Sequence, residues 1–368
     1  MKNVELKIKE FISKGLYPGA VVKIDVDGVN LYHSSFGYND IENMKPMSIN
    51  QIFPIYSMTK PIVIIAALLL VQEKLISLDT KICNYYSKFN KKIKLKNLLN
   101  MTSGIPYSWN SKNYENELLK IEELIESDNF TLNEICEMIS EIPIQIEPGE
   151  EWIYGMNIDI LGGIIEKISG MSLSNFLKQK ILIPLDMKDT DFKITDSNRK
   201  AIKYSYNVET SNRRLYRDEY YHYLMPKCFD KTPKCCLGGS GLFSTAEDYN
   251  KFLNFLLTGK IKGKQYLNKK WLNEMSTNQI PKLRNQKIFD LNEDYRFGYG
   301  IRVRVKNENF PLTEIGEFGW GGILGTSSLV DPKNKIVMSF MVSVYPGNNS
   351  IVENELFYAL YKDLKYVK

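Results

Sequence analysis

The chain has 368 residues, of which 43% are hydrophobic and 25% charged, so it is long enough to bury a large core. Its 48 basic and 43 acidic residues leave a net charge of +5, which is too close to balance to favour a nucleic-acid partner. The five cysteines have no C-x-x-C spacing, which argues against a disulfide framework and a zinc site. We expect neither a metal nor another cofactor.

Two features bear on the compartment. Residues 1–15 alternate charged and apolar side chains, without the continuous apolar segment of a signal peptide. The apolar run 62–71 has about half the length that crosses a bilayer. We therefore expect a cytoplasmic protein without a membrane span, although a processed secreted form would have the same pattern.

The predicted elements begin with an amphipathic helix and a β-hairpin. Strands at 20–26 and 29–36 are joined by Asp27-Gly28, a frequent two-residue hairpin turn. A long apolar helix is predicted from Ser57 to about residue 74. Pro61 fixes its start, because proline is tolerated only in the first turn of a helix.

The middle of the chain changes to helices and loops. Two patterns typical of capping boxes, Thr131-x-x-Glu134 and Ser244-x-x-Glu247, predict helix starts. The tyrosine-rich stretch 203–234 is irregular, and we interpret it either as a pocket wall or lid or as a variable surface loop.

Strand patterns return at 297–305, 326–330 and 335–344, and a final amphipathic helix follows. Strands at both ends of the chain and helices between them predict an α+β fold. We expect a discontinuous sheet domain, residues 1–77 and 291–368, and a mostly helical domain at 78–290. Ser57 then lies near the junction of the two.

The segment Ser57-Met58-Thr59-Lys60 places a serine and a lysine three residues apart. Residues at this spacing share a helix face, so the Lys60 ammonium can reach the Ser57 hydroxyl. The unpaired N–H groups of a helix start also favour a developing oxyanion. The alternative is an ordinary N-cap serine beside a solvated lysine, since S-x-x-K alone occurs by chance in many proteins.

Other hydrolytic motifs are missing. The chain has two histidines, His33 in a predicted strand and His222 in the tyrosine-rich stretch, and no H-E-x-x-H or Walker A motif. The segment GGSGL (238–242) departs from the G-x-S-x-G elbow at its last position. If Ser57 is a nucleophile, a lysine, a tyrosine or both must act as its base.

Four blocks in order resemble the class C β-lactamase-related branch of the serine β-lactamase and penicillin-binding-protein superfamily, which includes serine esterases. The blocks are FPIYSMTKP (53–61), LLNMTSG (98–104), PGEEWIY (148–154) and GGSGLFST (238–245). The resemblance implies an antiparallel sheet of about five strands flanked by the terminal helices, with an inserted helical domain. It also implies that Ser57 is the nucleophile and that Lys60 and Tyr154 share its proton.

The family's third motif is usually Lys or His followed by Thr-Gly. At the expected place this chain has Trp320-Gly321-Gly322, which resembles the W-G-G version of the esterase-like members. The resemblance implies that these glycines let a carbonyl substrate approach the backbone, and that the N–H groups of Ile323 and Ser57 form the oxyanion hole. Ser127-Asp128-Asn129 spells the second motif of class A enzymes, but its position between two predicted helices favours a turn.

Two departures bear on the substrate. Trp320 stands where a cation would attract a substrate carboxylate, and Met156 stands where the family has an amide, with Asn157 one residue further on. The substrate-binding residues that the resemblance implies are Trp320, Gly321, Gly322 and Asn157. We therefore predict a serine hydrolase that forms an acyl-enzyme with small esters or related acyl compounds. The alternatives are a true β-lactamase or D-alanyl-D-alanine carboxypeptidase, and a catalytically silent protein that binds an acyl ligand. Nothing in the chain predicts an oligomeric state.

Overall fold

The computed structural model describes residues 1–144, 146–206, 214–221, 224–225, 229–283, 285–289, 291, 293–347 and 349–365. Its strands are β1 (Gly19–Val26), β2 (Val29–Asp40), β3 (Lys45–Pro46), β4 (Phe53–Pro54), β5 (Tyr204–Tyr206), β6 (Leu215–Arg217), β7 (Phe243–Ser244), β8 (Lys260–Ile261), β9 (Lys264–Gln265), β10 (Tyr295–Phe297), β11 (Arg302–Arg304), β12 (Phe318–Gly319), β13 (Ser327–Asp331), β14 (Ile336–Met341) and β15 (Val344–Tyr345).

The helices are α1 (Lys2–Ser13), α2 (Thr59–Gln72), α3 (Leu95–Leu99), α4 (Glu115–Glu126), α5 (Leu132–Ser140), α6 (Asn157–Ser169), α7 (Leu173–Leu177), α8 (Ala246–Thr258), α9 (Lys269–Met275), α10 (Asn349–Ile351) and α11 (Phe357–Lys365). Wider turns at Lys178–Leu182 and Val352–Leu356 extend α7 and join α10 to α11. Within the described residues, none of these helices is long and apolar enough to cross a membrane.

One antiparallel sheet of eight strands, in the order β10-β11-β12-β13-β14-β1-β2-β3, organises the molecule. The β1–β2 turn is the expected Asp27-Gly28, whose φ angles of 52° and 77° suit the right-handed twist of a hairpin. β1 pairs with β14, so the first and last parts of the chain meet at the centre of the sheet. Apolar side chains of α1 and α11 pack on one face, and α8 packs on the other.

The α+β fold class is confirmed, with eight strands in place of about five. The additional strands have two or three residues, which is too short to show an alternating pattern. The single strand predicted at 297–305 is wrong, because the chain turns at Gly298–Gly300 and forms the hairpin β10–β11. The strand predicted at 335–344 ends at Met341, and Val344 begins β15 beside β5.

The apolar helix α2 begins at Thr59, two residues later than expected, and Ser57 lies in the preceding 3₁₀ turn Tyr56–Met58. α2 is buried from Thr59 to Val71, which accounts for its uniformly apolar sequence. The N-cap of α8 is Thr245, whose hydroxyl accepts the Asp248 N–H at 3.2 Å, so the capping pattern lies one residue later than predicted. The division into two domains stays a prediction.

Candidate active site

The turn that carries Ser57 is held by a distant part of the chain. β4 pairs with β7, and the Ile55 N–H donates to the Leu242 carbonyl at 3.0 Å. On the other side of the turn, the Thr59 hydroxyl accepts the Leu242 N–H at 3.1 Å. Tyr56, directly before the serine, has a φ of 42°, a conformation that costs a residue other than glycine roughly 1 kcal/mol or more. The surrounding hydrogen bonds therefore maintain backbone strain next to Ser57.

The structure brings Ser57, Lys60 and Tyr154 together. The Ser57 hydroxyl oxygen accepts hydrogen bonds from Lys60 Nζ at 3.1 Å and from the Tyr154 hydroxyl at 2.7 Å. The indole N–H of Trp320 lies 3.4 Å from the Tyr154 oxygen and donates to it. A serine oxygen in contact with two proton-carrying groups has the geometry expected of an activated nucleophile.

Lys60 is 1% exposed, and its ammonium has neutral acceptors. Besides Ser57 it donates to the Gly239 carbonyl at 2.7 Å, and it lies 4.6 Å from the centre of the Tyr154 ring. Behind Gly239 lies the fully buried Asp159 of α6. Burial raises the pKa of the Asp159 carboxyl to about 6, although the Lys60 charge acts in the opposite direction.

Sequence reasoning missed Asp159, as well as Tyr107, whose hydroxyl faces it. The signal available was an aspartate inside the apolar run IDILGGII (158–165), where a charge is costly without partners. The partners themselves come from segments more than 50 residues away, so spacing along the chain could not identify them.

The Trp320-Gly321-Gly322 turn stands beside the serine. A Cβ atom on Gly322 would lie 2.6 Å from the Ile55 carbonyl oxygen, and one on Gly321 would lie 2.4 Å from the Asn349 amide nitrogen. Gly322 therefore lets this turn pack closely on the segment before Ser57, and Gly321 lets it approach Asn349 of α10. Ile323, 40% exposed, lines the same cavity as Ser57, where the predicted pair of oxyanion donors is expected.

A cavity of about 570 Å³ opens above Ser57. Its wall is largely aromatic, with contributions from Tyr56, Tyr107, Trp109, Tyr154, Phe289, Trp320 and Tyr345. Among the described lining residues the charged side chains are Lys60 and Glu353, and Glu353 lies beside buried Arg302. The described wall thus offers a substrate apolar surface and no cation other than Lys60.

Several other predicted positions lie outside this cluster. Asn157 is completely buried and hydrogen-bonds Ser103 and the Ile105 carbonyl, because the first turn of α6 points its amide into the core and away from the described cavity wall. Ser127 caps the end of α4, where its hydroxyl donates to the Leu124 carbonyl. His33 lies on β2, and His222 falls outside the described residues. In the described part of the chain, no cluster of three or more His, Cys, Asp or Glu side chains could hold a metal ion.

The eight-stranded sheet, the terminal helices α1 and α11 packed on it, and the packing of α2 against α6 and α7 define the β-lactamase/transpeptidase-like fold class. The chain belongs to the beta-lactamase family, whose model matches residues 4–361. One relative, Protein Rv1367c of Mycobacterium tuberculosis (strain H37Rv), is 25% identical over 371 residues, covering 93% of this chain and 90% of the relative.

Solved structures share the fold. EstCE1, described as a hydrolase with promiscuous acyltransferase activity, is 22% identical with a TM-score of 0.83, and the match covers 98% of both chains. Unliganded simvastatin synthase (LovD) from Aspergillus terreus is 22% identical with a TM-score of 0.78, covering 99% of this chain and 98% of the other. The expected family and fold are confirmed.

Proposed function

We propose that the protein is a serine hydrolase that forms an acyl-enzyme at Ser57 with small, uncharged esters. One observation carries this proposal: the Ser57 oxygen accepts hydrogen bonds from both Lys60 and Tyr154 where it meets an apolar cavity. Membership of the beta-lactamase family supports the same chemistry. The description of EstCE1 as a hydrolase is consistent with it.

In the proposed acylation, the Ser57 oxygen forms a bond to the ester carbonyl carbon. Its proton passes to the Lys60–Tyr154 pair, which must be one proton short of full protonation to accept it. The carbonyl oxygen becomes an oxyanion between the N–H groups of Ser57 and Ile323. When the ester C–O bond breaks, the pair returns the proton to the leaving alkoxide, and an alcohol departs.

Deacylation repeats these steps with water. Water gives its proton to the same pair and attacks the acyl carbon, and the bond to the Ser57 oxygen breaks as that oxygen takes the proton back. The net change is ester plus water to carboxylic acid plus alcohol.

The wall of the cavity favours neutral substrates. Trp320 lies where the family's usual motif has a cation, and the described wall has no cation besides Lys60, which is already bonded to Ser57 and Gly239. A substrate carboxylate would therefore lose hydration without gaining a partner. For this reason we expect nitrophenyl esters to react faster than penicillins.

Intact-protein mass spectrometry with a fluorophosphonate, a penicillin and short-chain nitrophenyl esters tests the proposal. We expect a single fluorophosphonate adduct on the wild type and none on Ser57→Ala, with ester turnover reduced by at least about 10³-fold, as when other serine nucleophiles are removed. Ser127→Ala is the matched control, because it removes the rival serine from an exposed helix end, and it should behave as the wild type.

Three results would contradict the proposal. Ester turnover that persists in Ser57→Ala would exclude the mechanism. No adduct and no turnover with any probe would favour a protein that only binds its ligand. Penicillin hydrolysis faster than ester hydrolysis would favour a β-lactamase.

A further inference from the structure

Lys60 is a buried cation whose hydrogen-bond acceptors, Ser57 Oγ and the Gly239 carbonyl, are both neutral. A buried charge is costly unless an opposite charge compensates it. Asp159 supplies a nearby negative charge. The two groups interact, because the Lys60 charge lowers the pKa of the Asp159 carboxyl and so opposes the effect of burial. The two are linked by Gly239, which accepts from Lys60 through its carbonyl and donates its N–H to Asp159 Oδ1 at 2.7 Å.

The second oxygen of Asp159 faces Tyr107. The Tyr107 hydroxyl donates to Asp159 Oδ2 at 3.5 Å, and the Tyr107 ring lies 5.7 Å from Lys60 Nζ and 5.8 Å from the Tyr154 ring. One carboxylate thus contacts two groups that themselves contact Lys60.

The close approach of Asp159 to the backbone at position 239 requires a glycine there. A Cβ atom on Gly239 would lie 2.7 Å from Asp159 Oδ2 and 2.9 Å from the Tyr107 oxygen, so a larger residue would push the carboxylate away. The absence of a side chain lets α6 bring its aspartate against the loop that holds Lys60.

We infer that Asp159 is a positioning residue for Lys60: through Gly239 and Tyr107 it fixes the place of the ammonium and compensates its charge. This inference rests on the proposed function. Asp159 does not line the described cavity, so its effect on a reaction would pass through Lys60.

The inference predicts a pH dependence. The titratable groups around Asp159 are Lys60 of α2, Tyr107, and the thiols of Cys136 on α5 and Cys235. Burial raises the pKa of both thiols and of the Tyr107 phenol, so these three stay neutral in the range of interest. Asp159 itself has a pKa of about 6, and as the pH falls through that value it gains a proton and loses its charge. Activity should then fall on the acid side of about pH 6.

The test is the pH profile of kcat and KM for a nitrophenyl ester, measured with the full chain. For Asp159→Asn we expect kcat near pH 8 to fall roughly 10- to 100-fold with little change in KM, because a misplaced Lys60 ammonium beside Ser57 slows chemistry more than binding. The acid limb near pH 6 should disappear, since the asparagine does not titrate. A cooperative thermal melting transition would establish that the variant is folded.

Asp248→Asn is the matched control. Asp248 is also a buried aspartate in the first turn of a helix, with its pKa raised by burial, but it bonds the Asp189 N–H and Thr190. This variant should retain both the rate and the acid limb.

Tyr107→Phe provides a second test if Asp159→Asn does not fold. Removing the hydroxyl takes away a hydrogen bond that favours the charged carboxylate, so the acid limb should move to higher pH. A purely structural role would leave its midpoint unchanged.

The outcomes separate the inference from the proposed function. A wild type that hydrolyses no ester and takes no fluorophosphonate contradicts the proposed function and the inference with it. An active wild type combined with a folded Asp159→Asn that keeps both the rate and the acid limb contradicts the inference alone. A Tyr107→Phe profile with an unshifted midpoint also contradicts it.

Discussion

Trp320 contacts Tyr154, which is one of the two proposed proton-transferring side chains, through the only polar atom of its side chain. Its indole N–H donates to the Tyr154 oxygen at 3.4 Å, and the two rings pack with their centres 5.9 Å apart. A lysine at this position would direct its charge to the substrate. The indole instead directs its one N–H donor to the tyrosine oxygen, so the two side chains are joined by a hydrogen bond.

This arrangement predicts coupling between Tyr154 and Trp320. Tyr154→Phe should lower kcat by roughly 10²- to 10⁴-fold, the usual contribution of a general acid-base group. Trp320→Phe keeps an aromatic ring and removes one hydrogen bond, so it should lower kcat about 2- to 10-fold. In the Tyr154→Phe background the second change should have almost no effect, because the acceptor is already gone.

The measurement is a double-mutant cycle of kcat with a nitrophenyl ester. Tyr154→Phe at the wild-type rate would return the role of base to Lys60. Additive effects of the two substitutions would show that Trp320 acts through packing or substrate contact rather than through Tyr154.

Three side chains at the proposed site could be predicted from motifs, because Ser57 and Lys60 are neighbours along one turn and Tyr154 ends a recognisable block. Asn157 shows the limit of this reasoning. Its distance from Tyr154 along the chain does not determine which way the first turn of α6 faces, and the fold directs it to Ser103. Asp159 could not be assigned because its partner Gly239 lies 80 residues away.

At the scale of elements, α6 packs closely on its neighbours through small residues. A Cβ atom on Gly163 would lie 2.1 Å from the Tyr86 hydroxyl oxygen and 2.8 Å from the Cys136 sulfur of α5. The Tyr86 hydroxyl donates to Asn133, also on α5, so it has little freedom to move aside. The position of α6 matters because its first turn carries Asp159 and begins three residues after Tyr154.

We expect Gly163→Ala to destabilise the protein by about 1–3 kcal/mol, the usual cost of overpacking a core. Tyr86→Phe removes the atom that clashes first, so Gly163→Ala should cost less in that background. Urea unfolding of the wild type, the two single variants and the double variant measures the difference. Ser169→Ala, at the far end of the same helix, is the control and should change stability little. Equal costs in both backgrounds would show that Tyr86 does not limit the packing.

The predictability of elements follows their length. The long helices and β1, β2 and β14 repeat an apolar pattern often enough to be recognised, and the capping box at Thr131 is confirmed, with the Glu134 N–H donating to the Thr131 hydroxyl at 3.3 Å. Strands such as β3 and β12 have two residues each and form because the rest of the sheet is already in place. Their pairing is a tertiary property that no local pattern encodes.

At the scale of the whole molecule, the two chain ends depend on each other. β1 and β14 pair at the centre of the sheet, and α1 packs against α11. The sequence predicted this discontinuous sheet because strand patterns occur at both ends and helices lie between them. The order of the strands and the contact between the terminal helices required the structure.

A single carboxylate joins the terminal helices. Asp363 of α11 accepts the Asn3 N–H at 2.9 Å, the Asn3 side-chain amide at 2.8 Å and the Val4 N–H at 3.0 Å. These backbone donors belong to the first turn of α1, whose own N-cap residue, Met1, makes no side-chain capping bond. A residue from the far end of the chain therefore caps the first helix and places a negative charge at its positive end.

Because Asp363 is mostly buried and satisfies three donors, Asp363→Ala should lower the free energy of unfolding by about 1–3 kcal/mol. Asp363→Asn keeps an acceptor but loses the charge, so its loss should be smaller. Lys365→Ala, an exposed change two residues away, is the control and should stay within about 0.5 kcal/mol of the wild type. Urea denaturation followed by circular dichroism measures all three. Equal unfolding midpoints for Asp363→Ala and the wild type would mean that the apolar contacts between α1 and α11 hold the chain ends together without this cap.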